Sequence, residues 1–223
     1  MRQGTIGLAR SFLNTYVQAV SATTSRIHAA ALKLFAEKGV TSVTVSELAD
    51  AAGIARGTIY NNVASIDSLF EDVAGELILE MHRRLKASSV GIDDPVLRLA
   101  NGARYYLWRA HDDPTWGRFI NRFALSSPSL QALWSGQLRL DLVEGAKQGR
   151  YDLEVGRLQV AMSFIAGGVL AGMLLVLDGH RTWRKAGPEV AELILRSLGI
   201  SRQEARTLAT RELPPLLEVA VSA

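Results

Sequence analysis

The chain of 223 residues contains no cysteine, which excludes disulfide scaffolds, thiolate nucleophiles and metal sites that need sulfur ligands. Its four histidines are scattered and form no His-x-x-x-His or Glu-x-x-His pair, so we expect no metal site. Phosphate-binding glycine loops, dinucleotide fingerprints and nucleophile elbows are also missing from the sequence. The sequence therefore predicts neither a cofactor nor an enzymatic activity.

Positive charge is only mildly concentrated, with +2 of the net charge in residues 1–70, and forms no basic arm. Lysine and arginine total 25 against 22 acidic residues, a net charge of +3, which permits an anionic partner without requiring one. Hydrophobic residues make up 48% and charged residues 21%, values typical of folded proteins and unlike those of disordered chains. A chain of this length holds one or two domains.

Strand signals are nearly absent, whereas helix boundaries are marked throughout. No Asn-Gly or Asp-Gly hairpin separates alternating apolar runs. Asp94-Pro95, Asp113-Pro114 and Ser127-Pro128 each place a capping residue before a proline, a combination that opens helices. Ser201 and Glu204 form a capping box. The sequence predicts an all-α fold, with helices over 22–38, 45–52, 56–62, 66–88, 95–111, 114–125, 128–149, 154–178, 188–198 and 202–213.

The predicted helices divide the chain into two domains. A three-helix N-terminal domain covers 22–70, and its linking helix continues to about residue 88. A larger helical domain covers 92–213, with a C-terminal tail over 214–223. The first 21 residues do not fit a secretion signal, because Arg10, Asn14 and Gln18 interrupt the apolar segment. Their apolar spacing favours an extra amphipathic helix, with a poorly ordered extension as the alternative.

The N-terminal domain contains the pattern of a helix-turn-helix. Thr44 and Glu47 form a capping box that starts a short helix at residue 45. Gly53 ends this helix after two turns and permits a tight reversal, and Arg56–Asn62 forms a second short helix. In this arrangement the second helix enters the major groove of DNA.

The second short helix carries groups suited to reading base pairs. Ile59 and Val63 lie four residues apart and can face inward, which leaves the other side chains outward. Arginine pairs with guanine and asparagine with adenine, while a glycine within the helix allows a close approach to its backbone. The predicted DNA-contacting residues are Thr44, Arg56, Gly57, Thr58, Tyr60, Asn61 and Asn62.

The segment AALKLFAEKGVTSVTVSELADAAGIARGTIYNNVASIDSLF resembles the DNA-binding domain of the tetracycline-repressor family of transcriptional regulators. The resemblance implies that Thr58 and Tyr60 hold phosphates and that Arg56, Gly57 and Asn61 lie near bases. The chain departs from the family pattern where Ala55 replaces a capping serine, Asn62-Val63 replaces His-Phe and Ile66 replaces lysine. Losing a helix cap costs about 1 kcal/mol.

Residues 158–177 form an uncharged run of twenty residues, long enough to span a bilayer. A helix that is apolar on all faces is equally expected inside a core or a subunit interface. Flanking aromatic and basic belts are missing, which favours the interface. The family resemblance implies a dimer formed by two C-terminal helices of each subunit. The predicted dimer residues are Ser163, Gly167, Gly168, Ala171, Gly172, Ile194 and Leu198.

Seven of the fifteen aromatic residues lie within residues 105–134. Ordinary core packing accounts for such a cluster, and so does an apolar pocket for a flat ligand. For the pocket, the predicted lining residues are Tyr105, Trp108, Trp116, Phe119, Phe123, Trp134, Met162 and Phe164.

Together these features predict a cytoplasmic homodimer that binds double-stranded DNA at a palindromic operator. We expect a repressor whose DNA affinity is lowered by a small lipophilic or aromatic effector in the C-terminal domain. Two other interpretations stay open from the sequence. One is a protein anchored in a membrane by residues 158–177, and the other is a ligand-binding module with a vestigial DNA-binding head.

Overall fold

The computed structural model describes residues 22–218 and confirms the all-α fold, with no strand among them. The predicted extension over residues 1–21 and the last five residues of the tail lie outside this range. The chain divides into two compact units, Met1–Val73 and Ala74–Ala223. The helix over Ile66–Ser88 runs across this division.

The first unit contains helix α1 (residues 22–38), α2 (Val45–Ala52), α3 (Arg56–Asn62) and the start of α4 (Ile66–Ser88). A 3-10 turn over Val40–Ser42 joins α1 to α2. The inward faces of these helices form one apolar core, in which the rings of Phe35 and Phe70 meet edge to face at 5.6 Å. The core also buries Ile27, Leu48, Ala49, Ile59 and Leu69.

The second unit holds the rest of α4 and seven further helices among the described residues. They are α5 (Pro95–Asp112), α6 (Pro114–Phe123), α7 (Ala132–Ser135), α8 (Gln137–Lys147), α9 (Leu158–Leu177), α10 (Trp183–Ser197) and α11 (Arg202–Thr210). Helix α5 is central and packs against α6, α8, α9, α10 and α11.

Local capping explains where most of these helices begin. The side chains of Asp94, Asp113 and Ser201 accept hydrogen bonds from backbone amides in the first turns of α5, α6 and α11. Each bond satisfies an amide that has no partner within the helix. The N-caps predicted at Asp94, Asp113 and Ser201 are thereby confirmed. The helix start predicted at Ser127-Pro128 is wrong, because residues 128–131 form turns and α7 begins at Ala132.

Two predicted helices differ from the structure. The helix predicted over 128–149 is interrupted at Gly136, whose ψ of −115° is not helical. A Cβ at this position would lie 2.9 Å from the ring of His82, which is too close. Glycine is therefore the residue that fits between the end of α7 and the start of α8. The helix predicted to start at Pro188 begins at Trp183, because the amides of Lys185 and Ala186 already bond to the carbonyl of Thr182.

Helix α9 corresponds to the uncharged run of the sequence. It is the one helix in the described range that is long and apolar enough to cross a membrane, judged by length and composition. Seven of its residues are buried within the protein, among them Ile165, Val169 and Met173. Part of α9 is therefore a core helix of the second unit.

Candidate DNA interface and effector cavity

Helix α2 starts at the capping box that the sequence predicts. The hydroxyl of Thr44 accepts a hydrogen bond from the Glu47 amide (3.3 Å), and the Glu47 carboxylate accepts one from the Thr44 amide (3.0 Å). The same carboxylate accepts hydrogen bonds from the Thr44 hydroxyl (2.9 Å) and from Lys38 Nζ (2.6 Å). The Thr44 side chain is exposed, and its hydroxyl is engaged in fixing the start of α2.

The turn between α2 and α3 is held from α1. Gly53 adopts φ 63° and ψ 40°, a left-handed conformation that glycine tolerates without strain. Arg26 Nη2 donates hydrogen bonds to the carbonyls of Ala52 (2.7 Å) and Gly53 (2.8 Å). These carbonyls belong to the end of α2 and lack helical partners. The sequence pattern did not identify Arg26, because its partners lie 26 and 27 residues away.

Helix α3 presents a polar face to solvent. Ile59 is buried as predicted, whereas Tyr60 is 69% exposed. The side chains of Arg56, Tyr60 and Asn61 make no hydrogen bond or ion pair with any described residue. Ala55 supplies no side-chain cap to α3, in line with the expectation from the sequence. These three side chains are free to contact a partner.

The other predicted DNA-contacting residues of α3 are more constrained. Asn62 Nδ2 donates a hydrogen bond of 2.7 Å to the carbonyl of Thr58, and the Thr58 residue is half-buried. A Cβ added to Gly57 would meet nothing within 4 Å in the protein. The surface above Gly57 is therefore open, and close approach to the α3 backbone is possible there.

The capping box leads to a prediction for the pH dependence of stability. Hydrogen bonds from Lys38 and from Thr44 lower the pKa of Glu47 from 4.5 to about 2. The folded state favours the charged carboxylate, so this stabilisation is complete above pH 4.5 and is lost as the pH falls through about 2. We expect Glu47→Gln to lower the thermal stability at pH 7 and to differ less from the parent at pH 3.

Thermal denaturation followed by circular dichroism at the two pH values measures this difference. Asp50→Asn is the matched control, because Asp50 is an exposed carboxylate of the same helix with no partner among the described residues. A difference between Glu47→Gln and the parent that stayed constant with pH would contradict the assignment.

The predicted dimer residues fall into two groups in the structure. Ser163 and Ala171 are exposed, and Gly167 and Gly168 are half-buried on the same side of α9. Gly172, Ile194 and Leu198 are buried within the subunit. A Cβ on Gly172 would lie 2.8 Å from Val190 Cγ2, so this glycine serves the contact between α9 and α10.

Large apolar side chains surround the exposed part of this surface. Phe164 is 60% exposed and Leu193 is 62% exposed, on neighbouring helices. We call the surface formed by Val160, Phe164, Gly167, Gly168, Ala171, Leu174, Leu175 and Leu193 the α9–α10 face. The sequence assigned Phe164 to the pocket, but the structure places it on this face.

Most of the aromatic residues predicted for a pocket pack in the core instead. Tyr105, Trp116 and Phe119 are fully buried, and Phe123 packs on Phe119 with ring centroids 5.1 Å apart. Trp108 is half-buried under the guanidinium of Arg84. Met162 and Trp134 line a shallow groove of about 520 Å³ between α9 and the segment over 125–135.

A second and smaller cavity of about 40 Å³ lies between α4, α5, α7, α8 and α9. Tyr106 and Trp134 form its aromatic wall, with ring centroids 5.2 Å apart. Of the residues predicted for a pocket, Trp134 is the one that lines this cavity. Its other walls are mostly apolar and are formed by Leu85, Leu99, Ala103, Leu133, Ile165 and Val169.

One end of the cavity is polar. Asp141 Oδ1 accepts hydrogen bonds from Arg98 Nε (2.7 Å) and from Gln137 Nε2 (2.9 Å), and all three residues line the cavity. Burial raises the pKa of Asp141, while the hydrogen bonds from Arg98 and Gln137 act in the opposite direction. Sequence patterns contain no signal for this cluster, because Arg98 and Asp141 are 43 residues apart.

The fold and these two regions define a class of protein: a helix-turn-helix regulator with a separate helical domain that contains a cavity. Two family models match the chain. The model for bacterial regulatory proteins of the tetR family matches residues 27–73, and that for the tetracyclin repressor-like C-terminal domain matches residues 94–211. The chain belongs to the tetracycline repressor family and is a DNA-binding transcriptional regulator.

Solved structures show the same fold. RolR in complex with resorcinol is 27% identical, with a TM-score of 0.68, and the match covers 90% of this chain and all of that one. The regulator FadR from Bacillus subtilis in complex with stearoyl-CoA is 20% identical over 77% of this chain and 97% of its own, with a TM-score of 0.66. A gamma-butyrolactone receptor is 18% identical over 86% and 97%, with a TM-score of 0.69. No curated protein matches the chain in sequence.

Proposed function

We propose that the protein is a cytoplasmic repressor that binds a palindromic operator as a homodimer and is released by a small lipophilic or aromatic effector. The observation that carries the DNA-binding part is the exposed face of α3, where Arg56, Tyr60 and Asn61 lack partners among the described residues. A helix with such a face, fixed behind a rigid turn, is suited to the major groove. Repression and dimerisation are typical of the family.

The α9–α10 face supports the dimer. Contiguous exposed apolar patches are uncommon on monomeric proteins and mark interaction surfaces. Gly167, Gly168 and Ala171 lie at the centre of the face and allow close approach of a second helix. A two-fold dimer presents two copies of α3 to half-sites about one helical turn (~34 Å) or a multiple of it apart.

The same residues argue against a membrane anchor. A spanning helix that stands alone exposes apolar side chains all round, whereas one side of α9 is buried against α5, α6, α8 and α10. The exposed stripe that remains is the part that we assign to the dimer. Burial of this stripe in a second subunit makes a membrane unnecessary.

The smaller cavity supports effector binding in the second unit. RolR, which matches nearly the whole of this chain, was solved with resorcinol, an aromatic molecule of one ring. A cavity of about 40 Å³ is smaller than either ligand, and the rearrangement needed to admit one ring is smaller than that needed for a long acyl chain. This comparison favours an aromatic effector over a lipid.

A hydrogen bond connects the wall of the cavity to α4. His82 Nε2 lies 3.2 Å from the carbonyl of Leu133, which belongs to α7 together with Trp134. Helix α4 is continuous from Ile66 to Ser88 and so reaches from the second unit into the first. A ligand that displaces α7 acts on α4 through this contact and changes the equilibrium between conformations of the dimer.

Selection of bound sequences from random duplex DNA tests the proposed function. We expect an enriched palindrome, and gel shifts with that palindrome that weaken when resorcinol is added but not when stearoyl-CoA is added. A control duplex of scrambled sequence should bind weakly under both conditions. If no sequence is enriched, the N-terminal unit is a vestigial head, and the proposed function is wrong.

A further inference from the structure

The polar end of the smaller cavity contains a hydrogen-bond acceptor that the protein does not use. Asp141 is 2% exposed, and both of its hydrogen bonds end on Oδ1. Its other carboxylate oxygen, Oδ2, has no hydrogen bond to any described residue. The Asp141 residue is almost fully buried and lines the cavity, so Oδ2 can accept a hydrogen bond from a molecule bound there.

Two residues, Tyr106 and Trp134, form the aromatic wall of the cavity. Tyr106 Oη and Trp134 Nε1 are buried and have no hydrogen-bond partner among the described residues. Both side chains line the cavity, and their rings are inclined by 30° to each other. Tyrosine and tryptophan normally find a partner for these atoms when they are buried. The rings of these two residues therefore supply flat apolar walls, and the acceptor left for a ligand is Asp141 Oδ2.

We propose that this cavity selects small hydroxylated aromatic molecules, that is, phenols, and that Asp141 is the residue that determines this specificity. The phenolic hydroxyl donates a hydrogen bond to Asp141, and the ring lies against Tyr106 and Trp134. This inference rests on the proposed function, in which the same cavity holds the effector.

The charge of the polar end determines whether the bound ligand carries a hydroxyl or a carboxylate group. The Nε of Arg98 is bonded to Asp141, and its Nη1 is bonded to the carbonyls of Ile92 (2.8 Å) and Asp93 (2.9 Å). Most of the Arg98 donors are therefore already used. A carboxylate ligand would lie next to the Asp141 carboxylate with few donors left for it, and like charges at short distance repel. A neutral hydroxyl avoids this cost.

The size of the cavity limits the ligand to one ring. An engineered cavity of about 150 Å³ holds benzene, whereas this cavity measures about 40 Å³. Side chains around it must already shift to admit a single ring. Fused rings and long chains require a much larger rearrangement of a closely packed interior, which is unfavourable.

Isothermal titration calorimetry of the full-length protein with phenol, toluene and benzoate tests the selectivity. The three probes share one aromatic ring and differ in the group attached to it. We expect phenol to bind about 10- to 100-fold more tightly than toluene, which corresponds to one hydrogen bond to a charged group. Benzoate should bind more weakly than phenol. Toluene or benzoate binding as tightly as phenol, or no binding of phenol, would overturn the proposal.

A substitution at Asp141 tests its role. Asp141→Asn keeps the side-chain shape and an acceptor for Arg98, and should weaken phenol binding about 10- to 100-fold while leaving toluene unchanged. Glu144→Gln is the matched control, because Glu144 is an exposed carboxylate on the same helix. Unchanged phenol affinity in a folded Asp141→Asn protein would overturn the assignment. The probe series on the parent protein decides the question if this variant does not fold.

Gel shifts with the selected operator separate the two proposals. Hydroxyl-dependent phenol binding with no effect on the operator supports the specificity of the cavity and contradicts its role in regulation. Release of the operator by toluene as readily as by phenol supports regulation and contradicts the specificity.

Discussion

Replacing Phe164 by glutamate is expected to separate the proposed dimer into monomers. Phe164 is a large exposed side chain of the α9–α10 face, so in a two-fold interface each copy faces the other subunit. The substitution places two carboxylates in an apolar contact, and an unpaired buried charge costs several kcal/mol. We expect a monomer in sedimentation velocity at micromolar concentration, where the parent sediments as a dimer.

Loss of the dimer should also reduce DNA binding. A monomer contacts one half-site and loses the gain in affinity that comes from linking two binding units, a factor of about 10² or more. Fluorescence anisotropy with the selected operator measures this loss. Circular dichroism should be unchanged, because the Phe164 side chain lies mostly outside the core.

The control for this experiment is a similar substitution on another helix. Leu140 on α8 has nearly the same exposure as Phe164 but lies outside the α9–α10 face. Leu140→Glu should therefore leave both the dimer and the operator affinity unchanged. The assignment of the interface would be refuted by a dimeric Phe164→Glu protein, or by equal dissociation of both variants.

Features of the fold that depend on neighbouring residues could be predicted from the sequence. The caps at Asp94, Asp113 and Ser201 each bond to an amide two or three residues away, so their signals are contained in a few letters. The helix-turn-helix is predictable for the same reason. Thr44, Glu47 and Gly53 set the start of α2 and the turn through local geometry.

Contacts between distant residues could not be predicted in this way. The polar end of the cavity joins Arg98 of α5 to Asp141 of α8, and Arg26 supports a turn 26 residues away. The positions of these charged residues on their helices do not indicate which partner they meet. Helical periodicity indicates that a residue is buried, but it does not indicate which residues of other helices it packs against.

The aromatic and glycine patterns illustrate this limit. Trp116 and Phe119 are buried as aromatic residues often are, but they fill the core and leave no space for a ligand. Gly172 allows close approach as expected for a small residue, yet its neighbours are Val190 and Leu107 of the same subunit. Aromatic residues and glycines serve the packing of a core and the contact between subunits equally well. The sequence therefore does not distinguish these two roles.

Replacing Arg56 by alanine is expected to remove most of the specific DNA affinity. Arg56 is exposed at the start of α3 and has no partner among the described residues, so its guanidinium is available to a base edge. An arginine that pairs with guanine discriminates between bases by roughly 1–3 kcal/mol, which corresponds to about 10- to 100-fold in affinity. We expect the operator affinity to fall by this factor, with a smaller change for scrambled DNA.

Anisotropy titrations at several salt concentrations distinguish a base contact from a charge effect. Arg118→Ala removes the same charge from an exposed position of α6 in the second unit and should leave operator binding nearly unchanged. Asn62→Ala should have a smaller effect than Arg56→Ala, because the Asn62 amide is bonded to the carbonyl of Thr58. Equal losses of operator and scrambled DNA on Arg56→Ala would mean that Arg56 holds a phosphate, since phosphate contacts carry no sequence information. In that case base recognition would fall to Asn61, whose side chain is the other free hydrogen-bonding group next to Tyr60 on the exposed face of α3.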